Sequence, residues 1–152
     1  MNAENSLQSK QIKTQKSKGV DINRVINKDY LNSIRDIYKC QICFKVMINP
    51  TDCQKCGHSF CHNCINETKC PFECEQSSLR PSSIGIKLIL NNLIFKCSSE
   101  NCNEEINYAS LINQDIQCKF KIVKCPNTSC NLNIAKKDLD NHIEIECPMT
   151  LQ

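Results

Sequence analysis

Fourteen cysteines and three histidines stand out in this 152-residue chain, and their spacing suits one kind of chemistry. The first run reads Cys40-x2-Cys43, then Cys56-x-His58-x2-Cys61-x2-Cys64, then Cys70-x3-Cys74. The last reads Cys125-x4-Cys130-x11-His142-x4-Cys147. Zinc takes four thiolate or imidazole donors in a tetrahedron at about 2.0–2.3 Å, and a two-residue gap lets the chain turn and present both sulfurs to one ion. Eight donors in the first run make two complete sites, and four in the last run make a third. Between them, Cys97, Cys102 and Cys118 offer three thiols without a histidine. In that stretch Gln114 stands where the last run has His142. Asp115 beside it supplies a carboxylate, so the expectation is either a weak fourth site or no metal at all.

Composition favours metal over disulfides. The chain has no tryptophan and only 5% aromatic residues, too little for an ordinary oily core, so small modules held by metal are expected. The N-terminus MNAENSLQSKQIKTQKSKG has no apolar run of the kind a secretory leader needs, and no segment approaches a membrane span. The expected setting is intracellular and reducing, cytoplasmic or nuclear, where clustered cysteines bind zinc. The net charge of +3 does not signal nucleic acid. Residues 1–28 hold six basic groups against Glu4 and Asp21, and the remainder sums to −1, with no basic stripe for a phosphate backbone.

The elements that must position these ligands can be sketched. Residues 1 to about 27 are rich in Gln, Lys, Ser and Asn and are expected to be a disordered basic tail, bounded here as 1–28. Asp29 is expected to cap a helix that carries Leu31, Ile34, Ile37 and Tyr38 on one face and leads into Cys40. Ser82 or Ser83 is expected to cap another, with Ile86, Ile89, Leu90 and Leu93 as its apolar stripe. A third helix is expected over 135–145, with Leu139, His142 and Ile143 sharing a face. An internal repeat is also visible: Cys97, Cys102, Leu111 and Asn113 recur 28 residues later as Cys125, Cys130, Leu139 and Asn141, and Cys118 recurs 29 later as Cys147.

Cys40 to Cys74 resembles the RING finger family, through CQIC, the CGHSFCHNC block and the CP opening the last pair. The resemblance implies a cross-braced fold in which Cys40, Cys43, Cys61 and Cys64 hold one zinc and Cys56, His58, Cys70 and Cys74 hold the other. Two features depart from the pattern. The last pair has three intervening residues, and an extra Cys53 forms Cys53-x2-Cys56, either displacing a ligand of the second site or standing by. His62, inside a knuckle, reads as exposed and non-ligating. The 97–147 repeat resembles TRAF-type zinc fingers, the first copy degenerate. The fold class is therefore small zinc-stabilised α+β modules, with a RING and leading helix over 29–81, a linking helix and degenerate finger over 82–118, and a finger over 119–152. Two zincs are expected in the RING, one in the last finger and a weaker one between.

RING fingers bind a ubiquitin-conjugating enzyme and promote ubiquitin transfer without a covalent intermediate, so the resemblance implies a RING-type ubiquitin ligase with no catalytic nucleophile. Ile42 and Pro71 would line the docking surface, and the TRAF-type fingers would take a protein substrate or partner. Glu75, where many active RINGs carry Arg or Lys after the last ligand, keeps the alternative open: a non-catalytic zinc scaffold or adaptor subunit. The lack of an apolar span, the neutral body and the scarcity of aromatics lead us to expect no membrane and no nucleic-acid partner, and the oligomeric state is left open. No sustained heptads follow that would build a coiled coil.

Overall fold

The computed structural model describes residues 18–65, 69–75, 78–111, 113 and 117–148. The first module is a three-stranded antiparallel sheet of order β2-β1-β3, with β1 at Pro50–Cys53, β2 at Ser59–Cys61 and β3 at Leu79–Pro81. Asp52 at the sheet centre fastens both neighbours. Its carboxylate accepts from the Ser59 hydroxyl at 2.7 Å and from the buried Ser82 hydroxyl just past β3. The apolar residues under this sheet are few: Met47 and Phe60 are fully buried, and cysteines make up the rest of the cluster.

The 28-residue repeat becomes two hairpins. Strand β4 (Ile94–Lys96) pairs antiparallel with β5 (Glu105–Asn107), and β6 (Ile122–Lys124) with β7 (Asn133–Ala135). Every pair matches: Phe95↔Ile106 in the first hairpin becomes Val123↔Ile134 in the second. The repeat thus carries register as well as ligands, because a cross-strand pair fixes which face each side chain takes. The structure is a set of small cysteine-rich modules with short sheets and few helices.

Of the three expected helices, the first and the last need correction. Helix α1 spans Lys28–Ser33, with Asn27 rather than Asp29 at its N-cap position. Asn27 makes no capping bond, because its side chain donates to the Asn92 carbonyl at 2.8 Å and accepts from the Ile94 amide at 2.9 Å. The helix then breaks at Arg35, whose φ of 51° is incompatible with a right-handed turn, and resumes as a 3-10 turn over Arg35–Tyr38. Leu31, Ile34 and Tyr38 are buried as expected, but the break swings Ile37 outward. Helix α2 spans Ile84–Asn91 and is capped by Ser83, whose hydroxyl accepts from the Ile86 amide. It buries Leu90, with Leu93 just beyond, and leans Ile86 and Ile89 on the core. The helix expected over 135–145 starts later, since Ala135 closes β7. A 3-10 turn covers Lys136–Asp138, a helical turn Leu139–Asn141 follows, and a π turn covers His142–Glu146.

The largest correction concerns the N-terminal tail. Residues 1–17 lie outside the described structure, but residues 18–27, expected to be disordered, form a strap across two modules. Val20 exchanges backbone hydrogen bonds with Val46 at 2.9 Å in each direction, and Val25 bridges to Phe95 in β4. Val20 and Val25 are almost wholly buried. Arg24 Nε donates to the Lys96 carbonyl at 3.0 Å, and the Ile26 amide to the Ile94 carbonyl at 2.8 Å. Composition hid this, because only two valines do the burying and backbone bonds do the rest. One core consequently runs from Val20 through Leu31, Val46, Leu90 and Phe95 to Leu111 and Cys118, joining the first and middle modules. The half-buried Tyr108 adds to the joint, its hydroxyl donating to the Met47 carbonyl at 2.7 Å.

The strap begins at Gly19, whose φ of +125° and close neighbours leave no room for a side chain. A Cβ there would lie 2.9 Å from the Lys45 Cβ, 3.0 Å from Cys43 Sγ and 3.0 Å from the Val46 carbonyl oxygen. Gly19→Ala is therefore expected to destabilise the fold by about 1–3 kcal/mol. A thermal melt that matches the wild type would show that the strap does not bear on stability.

Candidate metal centres

Four groups of ligand side chains come together, with the ligand atoms of each group within 4.8 Å of one another. Cys40, Cys43, Cys61 and Cys64 form the first. Cys40 and Cys43 flank the turn before the sheet, Cys61 ends β2 and Cys64 ends the 3-10 turn His62–Cys64. The second group is Cys53, Cys56, Cys70 and Cys74, not the expected set with His58. Along the chain the two groups alternate pair by pair, so each would tie the ends of the other's loop together. Cys125, Cys130, His142 and Cys147 form the third group, all buried. Cys97, Cys102 and Cys118 form the fourth, also buried, while Gln114 and the expected carboxylate Asp115 lie outside the described residues.

His58 needs its own account. It sits at the end of the turn before β2, its carbonyl accepting from the Cys53 amide at 3.0 Å. Its exposed imidazole lies 4.6 Å from the Phe72 ring, tilted by 40°. The two-residue gap from Cys53 to Cys56 left Cys53 open as a replacement ligand, and the structure places it in the group. His62 is exposed and belongs to no group.

The groups fit zinc. A Zn–S bond of about 2.3 Å gives a tetrahedral edge of roughly 3.8 Å. The measured edges are 3.9 Å for Cys43–Cys61, 3.7 Å for Cys56–Cys70, 3.9 Å for Cys125–Cys147, 3.5 Å for Cys97–Cys118, and 3.5 Å from Cys130 Sγ to His142 Nε2. Donors surround the sulfurs as thiolates require. Amides of Ile42 and Cys61 point at Cys40 Sγ at 3.4 and 3.3 Å, that of Ile48 at Cys61 Sγ at 3.4 Å, and that of Phe72 at Cys70 Sγ at 3.4 Å. The Asn127 amide donates to Cys147 Sγ at 3.0 Å, and Ser99, 28 residues earlier, bonds Cys118 in the same way. The degenerate middle copy thus keeps the thiol environment of its partner. The Lys18 carbonyl at the start of the strap lies against the sulfurs of Cys43, Cys61 and Cys64.

The acidities show why a cation is wanted. In the first group the Cys40 thiol is lowered: burial raises it, but amides of Cys43, Cys61 and Ile42 outweigh that. Its neighbours go the other way, Cys61 upward through burial and Cys64 to about 12 through burial and Cys43. In the second group the amides of Cys56 and Lys55 bring Cys53 down to about 7, while burial and the thiols of Cys56 and Cys70 push Cys74 up to about 12. In the middle module, burial raises Cys118 but Ser99 and the Phe120 amide bring it to about 7; Cys102 rises to about 11, its help from the Glu104 amide outweighed by burial and by Cys97 and Cys118. Each of these groups accepts one negative charge and resists the second. A bound dication removes that resistance.

The π turn explains the one-residue slip in the repeat. The Cys147 amide bonds the His142 carbonyl five residues back, at 2.6 Å, so the wider turn takes up the extra residue and brings His142 and Cys147 to one point.

The chain is similar to TNF receptor-associated factor 5 of Homo sapiens, at 26% identity over 138 residues that cover 84% of this chain and 25% of that protein. It is 32% identical over 119 residues to TNF receptor-associated factor 6-B of Xenopus laevis, covering 72% of this chain and 21% of that one. A TNF receptor-associated factor family protein of Dictyostelium discoideum is 29% identical over 173 residues, covering 86% and 38%. The chain thus spans about a quarter of the length of the first two relatives. No protein-family model matches it. Among the described residues, no helix is long and apolar enough to cross a membrane.

Two outcomes follow from these centres. Cys61→Ala is expected to cost the chain one zinc ion and several kcal/mol of stability, since structural zinc supplies on the order of 10 kcal/mol per site; unchanged elemental zinc and an unchanged melt would contradict it. Acid is expected to release zinc. Metal-bound thiolates have folded pKa values below the unfolded value of about 8.5, so their stabilisation is present above that pH and lost as pH falls through the bound-state values. A chromogenic zinc dye followed from pH 8 downward checks the sign, and release on raising the pH would overturn it.

Proposed function

We propose that this protein is a RING-type ubiquitin ligase that docks a ubiquitin-conjugating enzyme on its first module and a protein substrate or partner on its TRAF-type fingers. The observation that carries this reading is the alternation of two four-ligand groups in the first module, with apolar side chains displayed at both knuckles. Ile42 and Phe44 are exposed beside Cys40 and Cys43, and Pro71 and Phe72 are exposed beside Cys70. A small module that leaves such residues in water supports a docking role, since buried apolar anchors supply most binding energy at interfaces. Similarity to TNF receptor-associated factors supports the pairing of such a module with zinc fingers.

The mechanism in this reading is positioning. The cysteines are committed to metal, whose role is to fix the shape of the docking loops. The first module would hold the conjugating enzyme and its thioester-linked ubiquitin in a reactive geometry, lowering the entropic part of the barrier to attack by a substrate lysine. The strap and the Tyr108–Met47 bond favour a fixed spatial relation between this module and the middle finger, which suits delivery of a bound partner.

One observation favours a second reading. Glu75, exposed just after Cys74, puts a negative charge where a cation would assist ubiquitin binding. A scaffold that docks proteins without promoting transfer would carry the same fold. Autoubiquitination across a panel of conjugating enzymes separates the two. The ligase reading expects activity that Ile42→Ala lowers by roughly tenfold with zinc content unchanged, the effect of losing one apolar anchor. Silence across the panel assigns the scaffold role.

A further inference from the structure

The turn Cys53–His58 repeats the turn Cys40–Lys45 bond for bond. In the earlier turn the Cys40 amide donates to the Lys45 carbonyl at 2.9 Å, and the Phe44 amide to the Cys40 carbonyl at 2.9 Å. In the later turn the Cys53 amide donates to the His58 carbonyl at 3.0 Å, and the Gly57 amide to the Cys53 carbonyl at 2.9 Å. The fifth residue of each has positive φ, 56° at Phe44 and 71° at Gly57. The amides two and three residues on serve the leading sulfur in both: Ile42 and Cys43 for Cys40, Lys55 and Cys56 for Cys53. This is a turn that aims two thiols at one point and lines the first with N–H donors, the arrangement a thiolate site needs.

His58 occupies the place that Lys45 occupies in the earlier turn, and Lys45 is no ligand. Its ring is exposed and rests on Phe72, whereas Cys53 is almost wholly buried inside the ligand group. The competing pattern, Cys56-x-His58, has the right residue types but not this backbone.

We propose that the second zinc of the first module is held by four thiolates, from Cys53, Cys56, Cys70 and Cys74, and that His58 is a surface packing residue rather than a ligand. This assignment rests on the reading of the group as a zinc site. Four thiolates leave the centre with one more negative charge than three thiolates and an imidazole would. The amides of Lys55, Cys56 and Phe72 answer that charge. The free imidazole and Phe72 then make a ring pair on the knuckle surface instead of a buried ligand arm.

The test uses the full chain, measuring zinc per chain by elemental analysis in the wild type, Cys53→Ala and His58→Phe, the last keeping a ring against Phe72. The assignment expects His58→Phe to keep the wild-type zinc count and Cys53→Ala to lose one ion. Loss on His58→Phe with retention on Cys53→Ala overturns it. Should both variants aggregate, the histidine ring nitrogen shifts of the zinc-loaded wild type decide. Free-imidazole shifts for His58 beside metal-bound shifts for His142 support the assignment, and metal-bound shifts for both refute it. A wild-type first module that takes up no zinc sinks the metal reading itself, an outcome distinct from failure of the swap.

Discussion

Ionised sulfurs repel. Two unit charges about 4 Å apart cost on the order of 4 kcal/mol at an effective dielectric of 20, and in three of the four groups here neighbouring thiols help to push one member up, Cys61, Cys74 and Cys102. The same groups are largely buried, which favours neutral thiols, and lined by amide donors, which favour thiolates. A dication at each centre reconciles the two. It converts mutual repulsion into the main cohesion of modules whose strands are only three or four residues long. In the cysteine cluster under the first module's sheet, Met47 and Phe60 are the only sizeable apolar groups fully enclosed among the described residues.

Dependence on metal is not even along the chain. Among the described residues, the last finger packs Ile134 alone against its three buried cysteines, so its order leans on its centre. The middle finger, with three ligand thiols among the described residues, has apolar packing besides: Phe95, Ile106 and Leu111 join a core shared with the strap and both helices. The two copies keep a common strand register and the same donor position beside the final cysteine, at Ser99 and Asn127.

Much of this was legible in the residues. Cysteine spacing pointed to the groups and to the complete set at 125–147, and the RING resemblance implied the alternation in the first. The 28-residue period pointed to two related modules, without showing that each is a hairpin. The burial of Leu31, Ile34, Leu90 and Leu93 followed from helical spacing. What escaped had physical reasons. Residue types left the choice between Cys53 and His58 open, because it turns on backbone bonds within one six-residue turn. The strap escaped because a polar segment can be ordered by main-chain bonds with only Val20 and Val25 buried. The break at Arg35 escaped because a left-handed residue in mid-helix has no marker when it is not glycine. The π turn was foreshadowed only by the one-residue slip between Cys118 and Cys147.

The strap also redraws where the molecule can be divided. Cutting ahead of residue 29, at the border that composition suggests, would remove Val20 and Val25 from an interior they help close and uncover Val46 and Phe95. Cutting behind residue 81 would strip Leu90 and Leu93 from the same interior. The shared interior therefore runs from Val20 in the strap to Cys118, with Phe120 packed against it, so the first and middle modules close one core between them. Among the described residues, the cysteines of the terminal finger and Ile134 form a small cluster of their own.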